Sequence, residues 1–203
     1  YVLMNNDIEV LQENWMEQML SNCERKEVGI VGARLYYPDN TIQHAGLVIG
    51  IGGSLRGIGA NLYQGMRRER SGYLHRAAFQ MNYSAVTAAL MMVKKEVYEK
   101  AGGFEEELSV AFNDVDFCLR VKEMGYLIVY DPLVEAYHYE SKSRGAEDSP
   151  EKVARFQSEI EFMRNRWENL LKKGDPNYNI HFSRVRADYS LGDPEVILRQ
   201  NRK

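Results

Sequence analysis

The chain has 203 residues, 44% of them hydrophobic, a formal charge of −3 and two cysteines. That is enough apolar material for a domain with its own core, and too few cysteines for a disulfide framework or a cysteine-built zinc site. The mild negative charge argues against a general nucleic-acid binder. With no charged-then-apolar leader and no run of about eighteen apolar residues, the expected setting is reducing and cytoplasmic, with peripheral attachment at the inner face of a membrane left open.

Tyr1-Val-Leu-Met4 reads as a buried strand, and a chain that opens inside a strand without an initiator Met is expected to be a piece of a larger fold. The run stops at Asn5-Asn6-Asp7. In open α/β sheets, ligands gather beyond the carboxyl ends of strands. Asp7 offers the hard oxygen that a divalent cation takes, and Asn5, on the same side of an extended chain, can help through its amide oxygen or a water. The same three residues also suit an ordinary turn. Trp15, Met16, Met19 and Leu20 then recur at helical spacing and predict a packed helix face.

Val28 to Tyr37 is β-rich, Pro38-Asp39-Asn40 is a turn signal, and Gly46 to Ile51 is a second apolar run. Two strands joined by a turn are predicted, with His44 as a loop residue between them. Gly50-Ile-Gly-Gly53 lacks both the full glycine pattern and the following helix that a dinucleotide site needs. Residues 52 to about 76, glycine-rich and without period, predict a mobile loop over one face of the sheet. Within it Arg67, Arg68 and Arg70 either steer an anion or keep the loop solvated.

Ala85 to Val93 predicts a buried strand containing Thr87, and Lys95 to Ala101 a short helix closed by Gly102-Gly103. In the helix that follows, Phe117, Cys118, Val121 and Met124 share one face, and Asn113 is a good N-cap. Asp116 falls where a carboxylate reaches back to the cap, and it can also pair with Arg120 one turn on. Asp114 is then left outside the capping network. A carboxylate so placed can take a proton from an incoming hydroxyl, or simply add negative charge to a helix start.

Tyr126 to Tyr130 and Leu133 to Tyr137 predict two short strands around Asp131-Pro132, with His138 closing the second. If the strands are neighbours, His138 and Asp7 could complete a metal site; otherwise it is a lone histidine. Ser149-Pro150 opens a long helix whose Val153, Phe156, Ile160, Met163, Trp167 and Leu170 form one seam, facing the protein or a second chain. Gly174-Asp-Pro ends it, and Tyr178, Phe182 and Tyr189 mark an irregular arm across the body.

The order of these motifs is more informative than any one of them. Asn5-Asn6-Asp7 after a strand, Thr87-Ala-Ala-Leu-Met-Met-Val93, Ala101-Gly-Gly-Phe-Glu105, Phe112-Asn-Asp-Val-Asp-Phe-Cys-Leu-Arg120 and Tyr137-His138 follow one another in a set order. With Gly174-Asp-Pro-Asn-Tyr-Asn179 and Asp188-Tyr-Ser-Leu191, the set resembles the second half of family-2 glycosyltransferases of the GT-A fold, notably bacterial rhamnosyltransferase-like members. The resemblance covers nearly the whole chain. It implies an α/β fold: a GT-A-type mixed sheet flanked by helices, lacking the N-terminal nucleotide-binding βα portion and carrying a C-terminal helical extension. Residues 1–146 would form the metal and acceptor part, and 147–203 the long helix and tail.

The same resemblance implies inverting transfer from a nucleotide-diphosphate sugar. Asp7, with Asn5 beside it, would take the place of the DXD motif that holds Mg²⁺ or Mn²⁺ on the diphosphate; His138 would be the metal-proximal histidine and Asp114 the general base. Thr87, Asn113 and Asp116 would lie on the acceptor side. Three positions depart from the commoner pattern: Asn5 stands for the first carboxylate, Asn113 for a glutamate and Ala88 for a glycine. The implied partners are a sugar nucleotide and a saccharide or lipid-linked acceptor in bacterial polysaccharide biosynthesis, with no nucleic acid and with a homo-oligomer through the 150–173 helix left open. This chain alone is expected to bind sugar nucleotide weakly or not at all. The rival from another class is a non-catalytic, carbohydrate-related assembly module built on the helix seam and the aromatic tail.

Overall fold

The computed structural model describes residues 1–52, 57–139 and 149–193. In order these form β1 (Val2–Met4), β2 (Ile8–Val10), α1 (Trp15–Cys23), β3 (Val28–Tyr36), β4 (Ile42–His44), β5 (Leu47–Ile49) and β6 (Gly59–Asn61). A 3-10 turn at Tyr73–His75 precedes β7 (Met81–Tyr83), β8 (Leu90–Val93), α2 (Lys95–Ala101), α3 (Asn113–Glu123), β9 (Leu127–His138), α4 (Pro150–Arg166) and α5 (Glu168–Lys173). Every residue of β3 is buried, as its uninterrupted apolar run requires of a strand covered on both faces. It is the centre of an open mixed sheet ordered β1-β8-β3-β9-β2, with β4 paired to the end of β3 and β7 to the start of β9. β9 runs parallel to β3, whereas β8 runs antiparallel to both β3 and β1. β5 and β6 form a separate ribbon.

Helices cover both faces. On one, Met19 and Cys23 of α1 meet Val28, Val31, Leu35, Leu90 and Val129. On the other, α3 sets Phe117, Cys118 and Val121 against Ile30, Val93, Ile128 and Tyr130. Ile160, Met163 and Trp167 close the same cluster from the C-terminal region. Burying a side chain of this kind contributes roughly 1.5–3 kcal/mol, so the α3 face alone goes far to fix the helix on the sheet.

Several local readings change when long-range partners are present. β1 is an edge strand rather than a buried one: Tyr1 is 50% and Met4 53% exposed. α1 forms, yet Met16 and Leu20 lie outside while Asn22 turns in, because its amide donates to the buried Asp131 carboxylate at 2.8 Å. The two strands expected around Asp131-Pro132 are one strand, β9, whose register jumps from Ala33↔Asp131 to Arg34↔Glu135. Pro132 sits in that irregularity, where its missing N–H breaks no ladder bond. The stretch expected as a loop from 52 contains β6 and a buried Ile58-Leu62-Tyr63 set, while residues 53–56 lie outside the described part.

The single helix expected over 150–173 is two, α4 and α5, divided at Trp167, whose backbone leaves the helical region at φ −110°. Its start is as predicted: Ser149 caps it through the Lys152 N–H at 3.3 Å, with Pro150 in the first turn. Most of the seam faces the chain's own core, and Val153 is exposed. The boundary expected at 146/147 lies outside the described residues. The tail crosses the body as expected, with Tyr178, Phe182 and Tyr189 packed together and against Tyr73, and with Asp175 taking the Ile49 N–H at 2.8 Å.

Candidate active site at the ends of β1 and β9

Because β1 and β3 both run opposite to β8, and β9 runs with β3, the carboxyl ends of β1, β3 and β9 share one edge of the sheet. Ligand sites of open α/β sheets lie at such edges. Asp7 follows β1, and β2, which starts one residue later, pairs Ile8 with His138 at the end of β9. The pairing brings Asp7 Oδ1 to 3.2 Å from His138 Nε2.

Two hydrogen bonds orient that imidazole. Nδ1 donates to Gln43 Oε1 at 2.7 Å, and Nε2 faces the Asn5 side-chain amide donor at 3.2 Å. Gln43 Oε1 can only accept, so Nδ1 carries a proton, and Nε2 lies between the Asn5 amide and Asp7 Oδ1, each at 3.2 Å. Asp7 Oδ1, itself buried, faces that same ring nitrogen. A carboxylate oxygen and a ring nitrogen so placed form an ion pair when Nε2 is protonated and can hold a cation when it is not, and a histidine whose other nitrogen is tied by an outer partner is the usual form of a ligating one. Among the described residues no three His, Cys, Asp or Glu side chains gather to hold a metal. The chain thus offers one carboxylate and one imidazole, and the rest of a coordination shell would fall to substrate oxygens and water, as is common for Mg²⁺.

The second carboxylate stands at the mouth of α3. Phe112 precedes the helix in a left-handed conformation, φ 65°, uncommon for a bulky side chain, and its ring stacks on Phe156 at 5.7 Å. Asn113 is the first helical residue rather than the cap, and its Oδ1 accepts the Asp114 N–H at 2.7 Å. Asp114 is far from idle. Its Oδ1 accepts the Val115 N–H at 2.8 Å, its Oδ2 the Ala88 N–H at 3.1 Å, and the Thr87 hydroxyl bonds to the same carboxylate. Burial nonetheless raises its pKa above the ordinary aspartate value, since desolvation outweighs those bonds. The result is an aimed carboxylate that is more basic than a free one, which suits proton abstraction.

Asp116 is corrected on two counts. It does not reach back to a cap, and it does not face an acceptor. Fully buried, it accepts from Arg120 Nε at 2.8 Å and Trp167 Nε1 at 2.9 Å, with Arg166 Nε at 3.4 Å. Only the expected pairing with Arg120 stands.

The two halves of the site meet at residues 87–89. Asn5 donates its backbone N–H to Ala89 O at 2.9 Å, and the adjacent Ala88 N–H is the one that reaches Asp114. Thr87 accordingly lies in the approach to β8 and not inside a strand.

Bacterial proteins with similar sequences are known. The chain is 48% identical over 193 residues to a protein designated y4gI from Sinorhizobium fredii, covering 95% of this chain and 21% of that protein. It is 34% identical over 190 residues to the O-antigen biosynthesis protein RfbC of Myxococcus xanthus, covering 94% of this chain and 14% of RfbC. Over 81 residues it is 27% identical to the N-acetylglucosaminyl-diphospho-decaprenol L-rhamnosyltransferase of Mycobacterium tuberculosis, 40% of this chain and 26% of that enzyme. The chain therefore spans only about a fifth, or less, of the first two relatives. No protein-family model matches it.

Two site residues escape a reading of the sequence alone. His44, expected in a loop, ends β4 and is buried: Nδ1 donates to Asn61 Oδ1 at 2.7 Å and Nε2 accepts the Thr87 N–H at 3.3 Å. Burial pushes its pKa down to about 4. Gln43, which orients His138, precedes it. The hint in the sequence is that this polar pair interrupts two apolar runs. In the arginine cluster, Arg68 is taken up by Glu135 at 3.6 Å and by the ring of Tyr36, whereas Arg67 stays largely in solvent beside Glu69. Among the described residues no helix is long and apolar enough to cross a membrane.

Proposed function

We propose that this chain carries the metal- and acceptor-side half of a glycosyltransferase of bacterial polysaccharide or O-antigen biosynthesis. The reaction is inverting transfer of a sugar from a nucleotide-diphosphate sugar to a hydroxyl of a saccharide or lipid-linked acceptor. One observation carries this reading: Asp7 and His138 face each other at 3.2 Å, and Asn5, two residues before Asp7, bonds through its backbone N–H to Ala89, next to the Ala88 whose N–H reaches the aimed Asp114. Supporting the class of reaction, one similar protein is named for O-antigen biosynthesis and another for L-rhamnosyl transfer.

In this mechanism Asp7 and His138 Nε2 would hold Mg²⁺ or Mn²⁺, with Asn5 beside them. When bound, the ion supplies positive charge to the diphosphate oxygens. Asp114 accepts the proton of the acceptor hydroxyl as that oxygen bonds to the anomeric carbon, and the carbon–oxygen bond to the diphosphate breaks with its electron pair, releasing the nucleoside diphosphate. One displacement inverts the anomeric centre; a covalent intermediate would call for a second carboxylate as nucleophile. The Ala88, Val115 and Thr87 donors hold the base in one direction, which is the protein's entropic contribution to the step. Since the relatives are several times longer, the donor's base and ribose are assigned to parts of the intact protein outside these residues.

The test is a panel of sugar nucleotides with Mn²⁺ on the intact protein, wild type against Asp114→Asn. Turnover of at least one donor, and loss of roughly 10²–10⁴ in kcat in a folded variant, is expected. Near wild-type turnover by the variant removes the base. No turnover of any donor by the wild type returns the chain to a non-catalytic assembly role.

A further inference from the structure

We propose that Gln43 and His44 are the positioning residues of this site, one for each half: Gln43 sets His138, and His44 sets the Thr87-Ala88 segment that meets Asp114. The inference rests on the reading of Asp114 and His138 given above.

Consecutive side chains on a regular strand point to opposite faces, so neighbours rarely serve one cleft. β4 is not regular. Its pairing to β3 runs Leu35↔His44 and then Tyr36↔Ile42, which leaves Gln43 as the extra residue of a bulge. Bulges occur beside active sites because they re-aim a side chain. Here the bulge lets two neighbours bond to opposite halves of one site. Gln43 accepts the Nδ1 proton of His138 at 2.7 Å, which turns Nε2 toward Asp7 and Asn5. His44 accepts the Thr87 N–H at 3.3 Å and is held from behind by Asn61 of β6 at 2.7 Å.

Both side chains are buried, at 5% and 1% exposure. A core that needed only volume would gain by an apolar residue at either place, since a buried amide or imidazole must recover its hydration through well-made bonds. One bond of each leads to the site, Gln43 to His138 and His44 to Thr87. Gly46 then turns the chain away: its φ is +93°, and a Cβ there would lie 2.1 Å from the Tyr83 ring, so the exit from the pair is fixed as well.

The test uses paired variants of the intact protein. His44→Gln keeps an acceptor for the Thr87 N–H and His44→Leu does not; Gln43→Glu keeps an acceptor for the His138 Nδ1 proton and Gln43→Leu does not. Expected for His44→Leu is a loss of roughly 10–100-fold in kcat with donor KM within about two-fold, largely restored in His44→Gln. Expected for Gln43→Leu is a rise of about 10–100-fold in the Mn²⁺ concentration for half-maximal rate, restored in Gln43→Glu. Equal losses within each pair, or a Gln43→Leu protein with unchanged metal dependence, overturn the proposal. Asp114→Asn separates the two levels: if it is inactive while His44→Leu is fully active, the positioning role alone fails; if both are active the base assignment fails with it; and if the wild type turns over no donor the transferase reading fails. Should a leucine variant not fold, ¹⁵N spectra of the wild-type chain decide, since a protonated Nε2 on His44 or Nδ1 lacking its proton on His138 overturns the assignment.

Discussion

Asp7 Oδ1 and His138 Nε2 stand 3.2 Å apart, while the other ring nitrogen is tied to Gln43. The contact is made by residues near the two ends of the main sheet's chain path and is closed by the Ile8↔His138 pairing. A cation held between the two would favour the folded chain, in which alone they meet.

Mn²⁺ or Mg²⁺ should therefore stabilise the folded chain. At ten times the dissociation constant the gain is about 1.4 kcal/mol, or roughly 3–6 °C in the thermal midpoint for a domain of this size. Asp7→Asn and His138→Ala should each remove most of it. Thermal melts with metal and with chelator make the comparison, and a midpoint that ignores metal in the wild type counts against the site.

The rate should depend on pH through Asp114. A base works only when deprotonated, and burial lifts this carboxyl above the ordinary aspartate range, so activity should fall, as pH is lowered, at a higher pH than an exposed aspartate would give. The Thr87 hydroxyl opposes that rise. Thr87→Val should then move the acid limb of the kcat profile further up. A limb that stays in place separates Thr87 from the base.

Asp116 should matter for folding and not for transfer. Removing it leaves Arg120 and the Trp167 indole N–H without their buried acceptor, a loss of about 3–5 kcal/mol by analogy with other broken buried pairs. Urea unfolding of Asp116→Ala measures it. A loss within 1 kcal/mol, on the order of an ordinary surface change, would show that the pair is dispensable.

His44 gives a separate acid signature. Its folded pKa of about 4 lies below the ordinary 6.5, so between these values the unfolded chain binds a proton that the folded chain refuses. Stability should be unaffected by this group above about pH 7, fall as pH drops through that window, and level off below it, for a total near 3 kcal/mol. Urea midpoints at neutral pH and at the foot of the window, wild type against His44→Gln, should diverge by that amount.

What the sequence discloses follows the range of the forces involved. Ser149-Pro150 and Gly102-Gly103 act within a turn of their own helices, and the structure has the cap and the left-handed exit where the residues suggest them. The presence of most strands and helices also follows from local signals, because apolar runs, turns and helix periods are short-range patterns, whereas the mixed sheet was implied by the motif order alone. Asp116 was misleading because a capping box is judged from three neighbours, while its actual partner Trp167 is 51 residues away. His44 was hidden for the same reason: Asn61 and Thr87 reach it only through folding. That Asn5, Asp7 and His138 belong together was legible only from motif order, since nothing local distinguishes them from turn and loop residues.

The stretch from Thr87 to Ala89 binds the halves of the site through two nearby peptide groups, the Ala89 carbonyl facing Asn5 and the Ala88 N–H facing Asp114. Those peptides are too short to move separately. A loop exchange meant to alter which alcohol is accepted would also displace the side that grips the departing diphosphate, so selectivity for one substrate and turnover of the other should change together in any engineered version.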